Sequence, residues 1–429
     1  MKNEKFASRL GLILAAAAGS VGLGNIWKFP YMVGANGGAA FLLVYIVCVI
    51  IFGLPLMMTE FMIGKTSEGS IHSAYQRLSN SKRWQWIPAL TFISTTFITG
   101  LYLVIVGWCI GYFCMSITGS INQVVDAATA ETVFQSFSTS LWKVITCTVV
   151  AIGLSIVILW AGVNKGIERL CKILMPILFA LLLILVVRVA FLDGAGRGYA
   201  FLFKPDWKCL TPKVILGALG QCFYSLSIGM GALITYGAYM AKDTKVNRVA
   251  AQVVGLDTLA AIIAGCAIFP AVFAFNFCPE QGPKLVFNVI PLVFGQMPAG
   301  QVFSLLFFAL LIIAAVTSSA SLFEVLVAAL MDATSQWKRP ISRHKGLVIC
   351  GLACFGVALA CALSGGAFDW IDRLTSTCTL PIIALGTTLF VGWFVVDKQL
   401  EFKPFTRFLI RYFIPLIILL IFFNGIGVL

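Results

Sequence analysis

Five ionisable side chains stand inside long apolar stretches of the sequence. They are Lys28, Glu60, Asp257, Glu324 and Asp372. A charge in the middle of a lipid bilayer is costly, so such residues usually face an ion or substrate pathway and not lipid. These residue types therefore predict a polar pathway through an apolar protein.

The residue types of the sequence also argue against enzymatic chemistry. His72 and His344 are the only two histidines, and they lie far apart in the sequence without a group of Cys, His and Asp around them. Catalysis needs a nucleophile beside a base, or a cluster of metal ligands. The sequence therefore predicts that the protein is not an enzyme.

Long apolar helices must carry the five ionisable residues. Of the 429 residues, 60% are hydrophobic and 11% are charged, which is more apolar surface than a water-soluble core of this length can bury. Unbroken apolar runs favour transmembrane helices over a β-barrel. About eleven runs are long enough to span a bilayer, and they predict one all-α transmembrane domain over residues 1–429. They cover residues 8–35, 39–63, 86–118, 141–161, 166–190, 212–240, 249–275, 300–331, 346–363, 370–395 and 405–427.

The net charge of +13 is distributed unevenly between alternate loops. Most lysines and arginines fall in the N-terminal tail and in every second loop after it. The other loops hold only Arg197, Lys204, Lys208, Lys213 and Lys284. This asymmetry follows the positive-inside rule and predicts membrane topology, not a nucleic-acid partner. It places the N-terminus in the cytoplasm and, with eleven spans, the C-terminus outside a bacterial inner membrane.

Glycines interrupt the first and the sixth apolar runs at matching depths. Gly19, Gly22 and Gly24 surround Ser20, whereas Gly217, Gly220, Gly229 and Gly231 surround residues 225–227. A broken helix frees amides that suit a carboxylate and carbonyls that suit a small cation. Close helix packing explains one such run equally well. Two of them, five spans apart, predict inverted five-helix repeats with a substrate between them: residues 8–190 and 212–395, followed by a helix at 405–427.

Five long motifs carry a family resemblance that extends over essentially the whole chain. They are SRLGLILAAAAGSVGLGNIWKFPYMVGANGG, NKGIERLCKILMP, GQCFYSLSIGMGALITYGAY, DTLAAIIAGCAIFP and AAVTSSASLFEVLVAALMD. Together they resemble the neurotransmitter:sodium symporter family, in particular its bacterial amino-acid transporters. The resemblance implies a secondary symporter that imports a free amino acid with two sodium ions by alternating access.

The resemblance also implies two sodium sites. The first would use the Ser20 carbonyl, Asn25, Ser225 and Asp257, and the carboxylate of the substrate would complete it. The second would lie between the carbonyls of Ala18, Val21 and Ala314 and the hydroxyls of Thr317 and Ser318. Oxygen ligands of this kind suit a hard cation. Taken alone, the hydroxyls of a Thr-Ser-Ser run more often join two membrane helices.

The substrate pocket implied by the resemblance has a polar end and an apolar end. The substrate carboxylate would bind the amides around Leu23 and Gly24 and the Tyr102 hydroxyl, near Ser20, Ser225 and Ser318. Ser227 would lie near the amine, and Ile98, Ile105, Tyr224, Met230 and Leu322 would form the apolar wall. Met230 replaces a Phe of leucine-preferring relatives, so we expect a hydrophobic or aromatic substrate. Gly22 replaces the Asp of monoamine transporters, which favours an amino acid.

Charged gates are expected on both sides of the pocket. Lys28 and Asp372 match the outer gate, although a lysine that snorkels to the membrane surface is the alternative. Asp332 matches the aspartate of the inner gate, but the usual arginine near the N-terminus is missing, and Lys2 or Lys5 would have to replace it. Gly166 and Pro176 resemble the motif that lets the fifth segment unwind.

Asp257 stands where animal members of the family have Asn and bind chloride, beside residues that resemble Tyr45, Gln221 and Ser225. Two sodium ions within a membrane need compensating negative charge. A fixed carboxylate can supply it, so we expect transport without chloride; the alternative is a structural Asp257 capped by its neighbours. A channel and a non-transporting sensor are the rival functions, and the oligomeric state and exact amino acid are left open.

Overall fold

The computed structural model describes residues 5–79, 81–124, 126–277, 279, 286–395 and 402–427, and every regular element in these ranges is a helix. Short 3₁₀ turns at Ser120–Gln123 and Trp207–Cys209 supplement the helices. In chain order the helices are α1 (Arg9–Ser20), α2 (Gly24–Ala35), α3 (Ala39–Ser67), α4 (Ile71–Ser79), α5 (Trp86–Ile117), α6 (Ala127–Ser138), α7 (Leu141–Trp160), α8 (Val163–Ala190), α9 (Ala195–Phe203), α10 (Pro212–Ser225), α11 (Ala232–Ala238), α12 (Val246–Ala274), α13 (Val289–Gln296), α14 (Gly300–Ala333), α15 (Arg343–Leu363), α16 (Gly365–Val395) and α17 (Pro404–Gly425).

Nine helices of the described ranges are long and apolar enough to cross a membrane, namely α3, α5, α7, α8, α12, α14, α15, α16 and α17. The bent pair α1 and α2 becomes a tenth if it is taken as one span. The sixth predicted run consists of two shorter helices, α10 and α11. The prediction of an all-α membrane protein from long apolar runs is therefore confirmed.

Both predicted helix breaks are present. α1 ends at Ser20, and α2 starts at Gly24 with its axis turned by 48°. Between α10 and α11 the backbone unwinds, and Ser227, Gly229 and Gly231 all have positive φ angles. Glycine adopts such angles without the steric penalty of a side chain, which explains why glycines cluster at this break.

The broken helices lie inside the bundle, whereas several unbroken helices form its outer surface. Residues 15–18 of α1 are fully buried. Large apolar side chains on α7, α8 and α15, such as Val157, Leu183 and Leu352, are more than half exposed. An exposed apolar face of this kind is favourable only against lipid. The bundle therefore shields the two breaks from the membrane by a layer of intact helices.

Two glycines allow α3 and α11 to pack with their backbones in close approach. A Cβ atom added to Gly64 would lie 1.9 Å from the Ile234 carbonyl oxygen, and one added to Gly237 would lie 2.4 Å from that of Phe61. Small residues permit such close approach between membrane helices. This contact fixes the position of α11, the second half of the broken sixth segment.

We predict that Gly64→Ala destabilises the fold, because the new methyl group forces α3 away from α11. Overpacking of this kind costs about 1–3 kcal/mol. The midpoint of thermal unfolding in detergent should fall accordingly. Gly255→Ala is the matched control, because no atom lies within 4 Å of a Cβ at that position of α12. Equal unfolding temperatures for the two variants would contradict the packing described here.

Candidate substrate and ion site

The two helix breaks meet in the centre of the bundle and are joined by hydrogen bonds from side chains. The Ser227 hydroxyl, in the sixth segment, donates to the Gly19 carbonyl at 3.1 Å. From α14, the Ser318 hydroxyl donates to the Ala18 carbonyl at 2.9 Å. Carbonyls at the end of α1, which have no partner in their own helix, thus bond to two other segments.

A cavity of about 30 Å³ lies at this meeting point. That volume is enough for about two water molecules, so a larger occupant requires its walls to move. Any larger residue at Gly22 would have to displace two neighbouring side chains, because a Cβ atom would lie 2.4 Å from the Ser318 hydroxyl and 2.8 Å from that of Tyr102. The lining residues are Gly19, Ser20, Gly22, Gly24, Ile98, Tyr102, Tyr224, Ser227, Met230, Ser318 and Leu322.

The cavity is polar at one end and apolar at the other. At the polar end, near the start of α2, the Leu23 amide donates to the Tyr102 hydroxyl at 3.2 Å. At the apolar end, Ile98, Met230 and Leu322 form one buried cluster with Leu380, and Tyr224 packs against it. The cavity therefore has the polarity expected of a site for a molecule with one charged end and one apolar end.

Three of the four residues predicted for the first sodium site are in direct contact. The Asn25 amide nitrogen donates to the Asp257 carboxylate at 2.9 Å, to its backbone carbonyl at 3.0 Å, and to the Ser225 hydroxyl at 3.2 Å. Ser225 in turn donates to the other carboxylate oxygen at 2.8 Å, and the Tyr45 hydroxyl donates to that oxygen at 3.4 Å. Asp257 is fully buried, and these neutral donors satisfy both of its carboxylate oxygens.

The residues predicted for the second sodium site are all buried where α14 passes the first break. Ser318 bonds to the Ala18 carbonyl, as described above, and the Thr317 hydroxyl donates to the carbonyls of Ile313 and Ala314. The Val21 amide donates to the Ala17 carbonyl at the last turn of α1. Among the five predicted ligands, Ser318 thus contacts the Ala18 carbonyl and Thr317 contacts the Ala314 carbonyl.

Three residues predicted to bind the substrate do not line the cavity. Ile105 packs in the main core, because it lies one helical turn beyond Tyr102 on α5 and the cavity closes before that turn. Ser225 is turned towards Asp257, and Leu23 contributes its backbone amide to Tyr102. Leu380 of α16 belongs to the apolar cluster and was not predicted, since nothing in its sequence surroundings separates it from other apolar helix residues.

A wider cavity of about 540 Å³ opens above the first, and Tyr224 lines both. Lys28 and Asp372 line this vestibule, but they do not form the predicted ion pair. The Lys28 ammonium lies 3.7 Å from the centroid of the Tyr224 ring, in a cation–π contact. The lysine thus points at the side chain that separates the two cavities, and not towards the membrane surface.

The opposite end of the bundle, which the charge distribution predicts to face the cytoplasm, is closed by polar contacts of Asp332. Its carboxylate accepts from the Ser70 hydroxyl at 2.6 Å and from the Ser73 hydroxyl, and Arg77 approaches it to 3.7 Å. Arg77 and not Lys5 is therefore the basic partner among the described residues; Lys2 lies outside them. Arg77 was not predicted as the partner of Asp332, because only the folded position of α4 brings it close to α14.

A second, more deeply buried ion pair closes the same end. The Arg343 guanidinium binds both carboxylate oxygens of Glu324, and the Tyr239 hydroxyl donates to Glu324 at 2.7 Å. The Phe6 amide donates to the Tyr239 carbonyl at 3.3 Å, which attaches the N-terminal segment to this cluster. Glu324 was a candidate from its position in an apolar run, but its partners Tyr239 and Arg343 lie in two other segments and could not be predicted.

The first turn of α8 is wider than an α-helical turn and contains Gly166. A Cβ atom at this glycine would lie 2.1 Å from the Ile158 carbonyl oxygen, so the residue permits a tight approach to the end of α7. Pro176 lies inside the same helix and removes one of its hydrogen bonds. Both features weaken the half of α8 that is nearest to Asp332's end of the bundle.

Comparison with known proteins identifies the family of the chain. The profile of the sodium:neurotransmitter symporter family matches residues 3–130 and 126–428. The chain belongs to this family. It is 34% identical to the uncharacterized sodium-dependent transporter YhdH of Bacillus subtilis, over 100% of this chain and 99% of that protein. It is 32% identical to the uncharacterized sodium-dependent transporter MJ1319 of Methanocaldococcus jannaschii, over 94% and 84% of the two chains.

A solved structure superposes closely on the chain. It is MhsT in complex with L-phenylalanine, with 38% identity, a TM-score of 0.89, and coverage of 99% of this chain and 100% of MhsT. An animal relative, the sodium- and chloride-dependent GABA transporter ine of Drosophila melanogaster, is 26% identical over 93% of this chain and 47% of its own length. The fold and the membership in a family of transporters are thus established together.

We predict that Arg343→Met lowers the midpoint of thermal unfolding, because it leaves the Glu324 carboxylate buried without its cation. Breaking a buried pair by removing one partner costs about 3–5 kcal/mol, whereas removing both partners costs much less. The double variant Glu324→Gln with Arg343→Met should therefore recover most of the loss.

Arg9→Met is the matched control, since Arg9 is an exposed arginine of the same end that bonds to Gln252. It should unfold within a degree or two of the wild type, as expected for a surface substitution. A double variant that unfolds at as low a temperature as Arg343→Met would show that the pair does not stabilise this end.

Proposed function

We propose that the protein is a sodium-coupled symporter that imports a free amino acid by alternating access. The observation that carries this proposal is the cavity between the two helix breaks, with the Leu23 amide and Tyr102 at one end and Ile98, Met230 and Leu322 at the other. The N-terminus of α2 carries partial positive charge and attracts a carboxylate. An apolar side chain on the same molecule would then occupy the other end.

We further propose that the substrate is a hydrophobic or aromatic amino acid. The apolar end carries no charged side chain among its lining residues, and Met230 is flexible enough to make room for a ring. MhsT, which superposes on the chain, was solved with L-phenylalanine. The cavity is smaller than an aromatic side chain, so entry of the substrate would displace Met230 or Tyr224.

Each of the two sodium ions would bind among oxygen atoms that take part in hydrogen bonds in this structure. The Asn25, Ser225 and Asp257 cluster lies beside the Ser20 wall of the cavity, where a substrate carboxylate would complete the first ligand shell. The second ion would replace the hydrogen bonds of Thr317 and Ser318 to neighbouring carbonyls, including that of Ala18, with Val21 and Ala314 as further ligands. Both shells contain only oxygen, as a hard cation prefers.

The wide vestibule lies on one side of the small cavity, whereas the opposite end of the bundle is closed around Asp332. This arrangement fits the outward-facing half of a transport cycle. Closure of the outer gate would bring Lys28 from the Tyr224 ring to Asp372 across the vestibule. Opening of the inner end would separate Asp332 from Arg77. In this proposal the repeats at residues 8–190 and 212–395 move against each other in a bacterial inner membrane, with the N-terminus in the cytoplasm.

We predict that proteoliposomes containing the protein concentrate labelled phenylalanine when a sodium gradient is imposed, and not when potassium replaces sodium. The double variant Thr317→Ala with Ser318→Ala should lose this uptake, because it removes two oxygen ligands from the second ion. Ser319→Ala is the matched control, since that hydroxyl bonds to Val316 and to Ser155 of α7 and not to the first break.

Four results would contradict the proposal in different ways. Uptake that does not saturate with substrate would indicate a channel, and sodium-dependent binding without uptake would indicate a sensor. Normal uptake by the double variant would show that the second ion binds elsewhere. If phenethylamine competed for uptake and no amino acid did, the substrate would be a monoamine and not an amino acid.

We also propose that transport is independent of chloride, because the Asp257 carboxylate provides negative charge beside the first sodium site. Uptake by the wild type should be unchanged when gluconate replaces chloride. Asp257→Asn removes the charge but keeps a similar shape, so this variant should lose uptake or become dependent on chloride. Loss of wild-type uptake without chloride would refute the proposal and would match the chloride dependence in the name of the Drosophila relative.

A further inference from the structure

The unwound stretch between α10 and α11 is held by side chains of two other helices. The Gly229 amide donates to the Glu60 carboxylate of α3 at 2.7 Å. The Thr95 hydroxyl of α5 donates to the Met230 carbonyl at 2.9 Å. Backbone groups in an unwound stretch have no helical partners, and burying them unpaired is costly. These two contacts, together with the bond from Ser227 to the Gly19 carbonyl, therefore position the stretch.

Thr95 differs from the other threonines of the same part of α5. Thr91, Thr96 and Thr99 each donate to a carbonyl of their own helix four residues earlier, at 2.6–2.9 Å. Such bonds within a helix are the common behaviour of threonine in membrane segments. Thr95, which is fully buried, instead directs its hydroxyl to a different segment.

The bond from Thr95 connects two elements of the same apolar cluster. Ile98 lies one helical turn after Thr95 on α5, and the Met230 side chain packs with it at the apolar end of the cavity. Met230 itself stands between Gly229 and Gly231, both at positive φ, and its amide makes one long turn bond of 3.4 Å to the Ser227 carbonyl. The hydroxyl of Thr95 therefore restrains the distance between the Met230 and Ile98 sides of the cavity.

We propose that Thr95 is a positioning residue for recognition of the substrate side chain. It does not line the cavity, but it holds the Met230 wall in place and so sets the size of side chain that the apolar end accepts. The inference rests on the proposed amino-acid function. A large side chain touches the Met230 wall, whereas the methyl group of alanine is too short to reach it.

The test measures competition for labelled phenylalanine by unlabelled phenylalanine and alanine, at saturating sodium, on the purified full-length protein. Thr95→Val keeps the shape but removes the hydroxyl and leaves the Met230 carbonyl unpaired. A lost hydrogen bond corresponds to an affinity change of about three- to tenfold. We expect the ratio of phenylalanine to alanine affinity to fall by that factor, with an unchanged dependence on sodium.

Two further variants separate positioning from general stability. Thr95→Ser restores the hydroxyl and should restore the ratio, and Thr99→Val removes a hydroxyl that bonds only within α5 and should leave the ratio within twofold of the wild type. In a double-mutant cycle, Thr95→Val should have no effect on the ratio when Met230 is already replaced by alanine, because the wall that it positions is then gone.

An unchanged ratio in Thr95→Val, an equal loss of affinity for both amino acids, or an effect that persists in the Met230→Ala background would each overturn the inference and leave the proposed function standing. A wild-type protein that binds no amino acid in sodium would overturn both.

Discussion

Backbone groups freed by two helix breaks inside a membrane must find partners, and the rest of the structure depends on this constraint. No water is present in the bilayer core to satisfy them. In this protein the partners are side chains from other segments. Ser227 bonds to the Gly19 carbonyl, Ser318 to that of Ala18, Thr95 to that of Met230, and Glu60 to the Gly229 amide.

The same contacts explain how binding can change the conformation. In the proposed function, the Ser225 hydroxyl and the Asp257 carboxylate, which now bond to each other and to the Asn25 amide nitrogen, would coordinate a sodium ion. In the same proposal, the Tyr102 hydroxyl, which now accepts from the Leu23 amide, would hold the carboxylate of the substrate. Binding of sodium and the substrate would therefore replace hydrogen bonds between segments, and would not merely add contacts to a site that is already complete. Such a replacement shifts the equilibrium between two conformations of the bundle only as far as the ligands bind one conformation more strongly than the other.

Much of the fold could be predicted from the sequence, because apolar length and glycine placement act locally. The two breaks were predicted from glycines near Ser20 and Ser225, and the contact of Asn25 with Asp257 from the family resemblance. Ile105 does not line the cavity of this conformation. Periodicity shows the face of a helix but not where along it the cavity ends. The role of Arg77, and the difference between Thr95 and Thr99, depend on how neighbouring helices are rotated and spaced, which a single sequence does not encode locally.

The central claim is that sodium and an amino acid complete one shared site, so each must raise the affinity for the other by the same factor. The most direct test measures phenylalanine binding across a series of sodium concentrations, and sodium binding across a series of phenylalanine concentrations. The account predicts equal coupling factors in the two directions, both lost when phenethylamine replaces phenylalanine because the carboxylate is absent. Phenylalanine binding that is equally strong in choline and in sodium would contradict it.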